Sequence, residues 1–575
     1  MEKIAKLESY VFPSLNALFT RLDPSWDDGM AAVLLRLVEA NQLGHICLPI
    51  VDPMERCRLL RSPLVGEPGH YAPFILDTAG RLYFARDWYD ETVLATHFSA
   101  MAARAEQLEI KDSQRVQVWL ERLFPGAGET LDRQKVAAAL AVKQRFLVIS
   151  GGPGTGKTTT VVRLLILLIA LSTRTLAMAM AAPTGKAAAR LTESVALARR
   201  RLSIDESLCA QLPAQAVTLH RLLGRHPGQA HAVYHRGNPL PLDVLVIDEA
   251  SMIDQYTMAR TVEALPAGCR LILLGDRDQL MSVEAGAVFG ELCQRIHYRV
   301  ETQRWLNDVC GGVPTDLTEE APFALSDSVV LLTQSYRFDT QSGIGALACR
   351  VNAGQGAHAL AILNHAMYHA VGWLSDDLEI AMWERRRLYL DAARTGQAFD
   401  VIQQHFLAFM MVTVERQQVY QINRSYETLL EQQGWKVMGR DWYLGRPVMI
   451  TENEYSIGLF NGDIGFTVER EGTVCVAFPS LDGTWRTLSP GRLPAHETVY
   501  AMTVHKSQGS EYDEVWLMLP DRPSRVFSRA LIYTAVTRAR HRFYVVGHPA
   551  ILEQGIRDCA TRWSGLSARW VSEKS

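Results

Sequence analysis

The chain has 575 residues, 48% of them hydrophobic and 21% charged, with a formal net charge of −3 at pH 7. That composition is ordinary for a globular protein with real cores, and at about 150 residues per domain the length predicts three or four domains. The acidic balance weighs against a nucleic-acid binder that is basic overall and leaves such work to local clusters of Lys and Arg.

The nine cysteines are scattered with no C-x-x-C pair, which fits reduced cytosolic thiols better than a disulfide framework or a zinc site. The opening MEKIAKLESY lacks a signal-peptide layout, and the most apolar run, 164–171, is far short of a membrane span. The expectation is a cytoplasmic protein with no membrane association.

In chain order, residues 1–110 read as a separate α+β region. Met30, Val33, Leu34, Leu37 and Val38 have helical spacing, and residues 74–76 and 81–84 flank a turn at 77–80 as a hairpin. Tyr83, Phe84, Trp88 and Tyr89 suit either a partner-docking face or an ordinary small core. No catalytic motif occurs there.

From about residue 130, short apolar runs alternate with helical stretches: 146–150, 175–181, 244–247, 271–274, 329–332, 499–504, 515–519 and 543–546. Strands buried on both faces and separated by helices predict parallel sheets of α/β type. Residues 311–322 read as a loop just before the second group of strands. Runs at 448–450, 465–468 and 474–477, with turns at Asn461-Gly462 and Asp482-Gly483, predict a small all-β insertion.

Gly151-Gly152-Pro153-Gly154-Thr155-Gly156-Lys157-Thr158 satisfies G-x-x-x-x-G-K-[ST] between an apolar strand and a long helix starting at Thr159. Glycines let backbone N–H groups approach phosphates, and the helix N-terminus adds partial positive charge. Lys157 suits the β/γ-phosphates of ATP, and Thr158 suits Mg²⁺. Asp248 and Glu249 end the strand at 244–247. Apart from the loop they could be a solvated strand-end pair. Beside it, Asp248 suits the Mg²⁺ shell and Glu249 suits the attacking water. These motifs alone define only a P-loop NTPase.

Gln279, in Gly275-Asp276-Arg277-Asp278-Gln279-Leu280, suits a γ-phosphate sensor linked to Glu249. Arg337 and Arg538 could be surface ion pairs or could stabilise phosphoryl transfer from a facing lobe.

The order GGPGTGKTT, APTGKAAARL, TLHRLLG, DEASMID, LGDRDQL, QSYRF, VHKSQGSE and YTAVTRAR resembles superfamily 1 helicases of the 5′→3′ branch. GRPVMI, GLFNGDIG, RLPAHET and GRLYFARDW extend the likeness to the RecD family, subunits of bacterial RecBCD helicase–nucleases, over about residues 70–565.

That resemblance implies two RecA-like lobes, 111–333 and 334–575, with ATP between them and single-stranded DNA across their top. It implies a strand-separating hairpin near 225–242, a small β-barrel near 440–498, and docking of residues 1–110 on a RecC-like subunit. The complex would be a heterotrimer with RecB-like and RecC-like subunits, acting on linear double-stranded DNA ends. Gln134 resembles the adenine-reading glutamine, completing a nucleotide set with residues 151–159. Pro183, Thr184, Gly185, Lys186, Thr218 and His220 match first-lobe DNA motifs, and His505, Lys506, Ser507 and Gln508 the second-lobe motif that couples DNA to ATP.

Three rivals remain open: a nuclease, a scaffold with a vestigial ATP site, and a free-standing helicase. The nuclease lacks its carboxylate cluster, since Glu109-Ile110-Lys111 has no acidic partner in the right context.

Overall fold

A computed structural model describes the chain apart from residues 1–11, 105–109, 127–130, 202–203, 226–231, 338–341, 375–376, 455, 481–483, 525, 560 and 571–575. Glu109, Phe338 and the Asp482-Gly483 turn therefore lie outside the described residues, as does part of the 225–242 stretch.

The N-terminal helix Asp28–Gln42 is capped by Asp27, whose carboxylate accepts from the Met30 N–H. Its buried Met30, Val33, Leu34 and Leu37 pack on a four-stranded sheet of order β1-β4-β3-β2. These strands are β1 (Cys47–Pro49), β2 (Val65–Gly66), β3 (Phe74–Leu76) and β4 (Arg81–Phe84). The expected hairpin is β3–β4, with Ile75 opposite Tyr83. Gly80 takes φ +80° at its turn, where a side chain would be strained.

The next sheet has order β10-β5-β9-β8-β6-β7, with every pairing parallel. It comprises β5 (Phe146–Gly151), β6 (Met178–Ala182), β7 (Ala216–Thr218), β8 (Val244–Ile247), β9 (Arg270–Gly275) and β10 (Val329–Leu332). β5 and β8 are buried throughout, which is why they read as continuous apolar runs. β6 starts later than expected because Asp243 holds the Ala177 N–H. β10 does not open the second group of strands. It fills the free edge of β5 instead.

The second parallel sheet has order β11-β20-β19-β12-β18. Its strands are β11 (Val371–Trp373), β12 (Phe409–Thr413), β18 (Ala501–Thr503), β19 (Tyr512–Met518) and β20 (Ala539–Val546). Between β12 and β18 lies an antiparallel sheet of order β16-β15-β14-β13-β17: β13 (Pro447–Ile450), β14 (Ile464–Arg470), β15 (Thr473–Pro479), β16 (Trp485–Leu488) and β17 (His496–Thr498). The run expected at 499–504 thus straddles two sheets, with β17 pairing to β13 and β18 to β12. The tight turn of the insertion is Glu471-Gly472, both at positive φ, as a two-residue hairpin favours. Asn461-Gly462 sits in the longer link from β13 to β14.

Packing crosses the expected boundaries in two places. Helix Ala85–Ala102 sends Val93, Leu94 and Phe98 into the first-lobe core, where Phe98 stacks on Phe146 at 4.5 Å. A division at 110 would cut through that core. After the second sheet the chain returns, and Leu566 and Trp570 enter the same core. Buried Glu91 anchors this tail, accepting from Arg569 Nε (2.8 Å), Ser564 Oγ (3.0 Å) and the Gly565 N–H (2.9 Å). Arg562 donates to the Ser282 and Gly286 carbonyls, both at 2.6 Å.

The N-terminal aromatics join this packing. Tyr83 is buried and donates to Glu91, Trp88 lies under Arg569, and Tyr89 donates to Glu263 of the first lobe at 3.1 Å. Among the described residues no helix is long and apolar enough to cross a membrane.

Candidate nucleotide cleft and nucleic-acid groove

The phosphate-type loop runs from the end of β5 to helix Lys157–Leu171. Gly154 and Gly156 hold φ +77° and +80°, and a Cβ at either would strike Arg337 or Gln134. Both positions therefore demand glycine for backbone shape and for space. Gln134 Nε2 donates to the Thr155 carbonyl at 3.0 Å, so that glutamine props the loop from below. Lys157 Nζ donates to the Gly151 and Gly152 carbonyls at 2.5 and 3.1 Å, curled over the loop.

Beside the loop is a cavity of about 530 Å³ whose walls include Pro153, Thr158, Thr159, Asp248, Gln279 and Arg538. Across Thr155 lies a second cavity of about 380 Å³, walled by Leu131, Gln134, Thr315 and Tyr336. The first is walled by more charged residues than the second.

Asp248 and Glu249 stand at the end of β8 as expected. Burial and the neighbouring Glu249 charge push Asp248 up to about 6, against the pull of Lys157 and Arg190. Glu249 adopts φ +51°, a left-handed conformation that costs a non-glycine residue about 1–3 kcal/mol, and it lines the cavity.

Gln279 is not linked to Glu249. Its amide donates to Asp276 Oδ2 at 3.1 Å. Asp276 is pushed up to about 6 by burial and also accepts from Tyr533 Oη, across the lobes, at 3.2 Å. Sequence reasoning missed both residues, although an acid directly after a buried strand is the signal that found Asp248. The next residue, Leu280, inserts into the second-lobe core, and its N–H donates to Thr534 Oγ1 at 3.0 Å.

Arg538 is buried, with Nε and Nη1 donating to the Thr534 and Ser510 carbonyls at 3.1 and 3.3 Å. Arg337 Nη1 lies 2.9 Å from Glu511. Arg190 pairs with the same carboxylate, and Arg540 reaches it at 3.4 Å. Burial would raise the Glu511 carboxyl, but the arginines overcome it and hold it down to about 2. Sequence reasoning missed Glu511 and Arg190 as well.

Pro183, Thr184, Gly185 and Lys186 lie between β6 and the first turn of helix Gly185–Arg201, where Thr184 Oγ1 accepts from the Ala187 N–H. Thr218 ends β7 and caps the next turn through the Arg221 N–H, and His220 is exposed. Lys186 and Thr218 meet Phe460, Arg486 and Arg540 around a groove of about 1260 Å³ between the first lobe and the insertion. Burial lowers Lys186 to about 8 against the attraction of Asp463. A Cβ on Gly185 would stand 2.8 Å from the Phe460 ring.

His505 and Lys506 are half-buried outside that groove, and Lys506 Nζ pairs with Glu497 at 2.8 Å. Ser507 is buried and donates to the Val504 carbonyl at 2.7 Å. Gln508 donates to the Leu280 carbonyl at 3.3 Å and so bridges the lobes. Within 225–242, His235 and Asn238 exchange backbone hydrogen bonds around the exposed tip Arg236-Gly237.

A phosphate loop on one parallel sheet, facing an arginine from a second, defines a P-loop NTPase with a two-lobed nucleotide cleft. Consistent with this, an AAA domain family matches residues 134–285 and a UvrD-like helicase C-terminal domain family matches residues 498–546. The RecBCD enzyme subunit RecD of Haemophilus influenzae is 37% identical over 520 residues, 85% of this chain and 80% of that protein. The subunit of the same name from Mycolicibacterium smegmatis is 37% identical over 559 residues, 94% of this chain and 91% of that one. The ATP-dependent RecD2 DNA helicase of Deinococcus radiodurans is 29% identical, over 70% of this chain and 47% of its own length. The chain belongs to the RecD family.

Proposed function

We propose that the chain is an ATP-dependent 5′→3′ DNA helicase, the RecD-type motor of a RecBCD-type helicase–nuclease that opens linear double-stranded DNA ends for repair, with the nuclease in a partner subunit. The observation that carries this reading is the cleft, in which the loop, Asp248 and Glu249 of one lobe face Arg538 of the other, with Arg337 on the segment after β10 packed against Gly154.

In this reading Lys157 exchanges the Gly151 and Gly152 carbonyls for the β/γ-phosphates of ATP, and the compartment beside Gln134 and Tyr336 takes the adenine. Thr158 and Asp248 fit Mg²⁺: both present oxygen to one cavity, and a carboxylate whose burial resists charge is relieved by a hard cation. When bound, Mg²⁺ supplies positive charge to the phosphate oxygens. Glu249 accepts the proton of the attacking water as the bond to the bridging oxygen of ADP breaks. Arg538, already oriented by two carbonyls, stabilises the transferring charge with Arg337. Gln279 relays the state of that phosphate through Asp276 and Leu280 to the second lobe.

Single-stranded DNA follows the first-lobe ends at Gly185, Lys186 and Thr218, held chiefly by its backbone, so binding weakens as salt rises. We read the chain as three units: a docking region ending near residue 84, a first RecA-like lobe to 333 that includes the tail, and a second lobe from 334. The antiparallel insertion at 447–498 is read as a small barrel. Exposed Val51, Met54 and Tyr71 give the docking region apolar contacts for a RecC-like subunit, beside a RecB-like one, in the cytoplasm.

The test is unwinding of duplexes with a 5′ or a 3′ tail by the chain with its co-purified partners. ATP-dependent opening from the 5′ tail is expected, and its loss in Lys157→Gln; opening only from the 3′ tail would overturn the polarity. A chain starting at residue 85 should lose its partners in a pull-down, and full retention would place docking on the lobes.

A further inference from the structure

The nucleotide cavity and the groove share a wall. Arg190, Gly509 and Glu511 line both, whereas Arg337 lines only the cavity and Arg540 only the groove. Glu511 stands directly before β19 and its side chain is 7% exposed. One of its oxygens meets Arg190 and Arg337, and the other meets Arg540. A single buried carboxylate therefore faces three guanidinium groups, of which Arg540 also lies 3.7 Å from the more exposed Asp513. Little solvent reaches Glu511 to screen that competition.

Such an arrangement responds to charge on either side. A phosphate that draws Arg337 toward the cavity leaves Glu511 to hold Arg540 more tightly, away from the groove. A phosphate that draws Arg540 into the groove leaves Glu511 to hold Arg337 and Arg190 more tightly. Each anion thus works against the other through the same carboxylate, and linkage makes the effect equal in both directions.

We propose that Glu511 is a positioning residue that couples the two sites, dividing its charge between Arg337 and Arg190 on the nucleotide side and Arg540 on the groove side. The proposal rests on the reading that the cavity takes ATP and the groove takes single-stranded DNA. It gives the coupling a sign: through Glu511, bound nucleotide weakens the grip on DNA.

The experiment measures anisotropy of a labelled oligothymidylate bound to the full chain, with and without a non-hydrolysable ATP analogue and Mg²⁺. The ratio of the two dissociation constants is the coupling factor. In Glu511→Gln the amide keeps the shape but not the charge to be divided. The factor should move by about fivefold or more toward tighter DNA binding in the nucleotide-bound state, the low end of typical couplings. Arg540→Gln removes the other end of the exchange and should shift the factor by a similar amount, although Arg540 does not line the nucleotide cavity. A merely structural role would alter both affinities and leave their ratio alone. Thermal unfolding identifies a variant that does not fold, in which case the other decides. A factor within twofold of wild type in the folded variants overturns the proposal. Failure of the wild-type chain to bind nucleotide or oligonucleotide would instead overturn the underlying reading of the sites.

Discussion

The two parallel sheets present opposite ends to the cleft. In the first lobe, the loop, Asp248 and Asp276 all follow the carboxyl ends of β5, β8 and β9. In the second, Glu511 and Arg538 immediately precede β19 and β20. The difference is physical. Cradling phosphates needs backbone N–H groups and a helix N-terminus, which a parallel strand followed by a helix supplies at its carboxyl end. Supplying positive charge needs only an arginine held in place, as Arg538 is by the Thr534 and Ser510 carbonyls.

The lobes also differ in assembly. The first-lobe core draws on helix Ala85–Ala102, the stretch from β5 to β10, and the returning tail. Among the described residues, the second-lobe core is built from one continuous stretch joined by Leu280 from the other lobe.

The largest expected effect tests the phosphate-binding half. Lys157→Gln should take ATP turnover on single-stranded DNA to background while anisotropy shows DNA binding within a few-fold. Turnover within tenfold of wild type would remove the loop from the chemistry and dissolve the contrast.

Arg538→Ala tests the charge-supplying half. It should lower kcat by about 10³ with little change in nucleotide affinity, the signature of charge stabilised only in the transition state. If weaker ATP binding dominates instead, Arg538 is a ground-state ligand and both lobes do the same kind of work.

Trp570→Ala tests the composite first lobe. The indole is 2% exposed in that core, so its removal should cost about 3–5 kcal/mol in denaturant unfolding. An effect under about 1 kcal/mol would show that the tail is ornamental and that both lobes are equally self-contained.

Glu291 sharpens the same point with pH. Burial, only partly offset by hydrogen bonds from Ser564 and Ser567, pushes its carboxyl up to about 7 from an ordinary 4.5. The unfolded chain releases this proton at lower pH than the folded chain does. Stability should therefore fall as pH rises from about 4.5 to about 7, by at most about 3 kcal/mol. Glu291→Gln should flatten that loss in unfolding midpoints taken between pH 5 and pH 8, and an unchanged slope would count against the buried carboxyl as its cause.

Strands read well where both faces are buried, because continuous apolar runs such as Val244–Ile247 leave no alternative. β12 was missed for the same reason turned round. Its FMMVT follows helix Phe399–Leu407 after a single alanine, so no break in apolar pattern marks the start. The expected strand at 499–504 failed because local pattern does not say to which sheet an extended residue pairs.

The sequence by itself determined that the glycine loop stands between a strand and a helix and that Asp248 and Glu249 follow a buried strand, because each is set by neighbours within a few residues: glycines at positive φ, a strand end, a helix start. It also determined the family, through strings too long to recur by chance. Only the tertiary structure decided that Gln279 binds Asp276, that Gln508 bridges lobes, that Ser507 is buried, and that one carboxylate, Glu511, meets Arg190, Arg337 and Arg540. Arg190 and Glu511 lie 321 residues apart. Which charge meets which across that separation depends on how two sheets pack, and spacing along the chain carries no record of it.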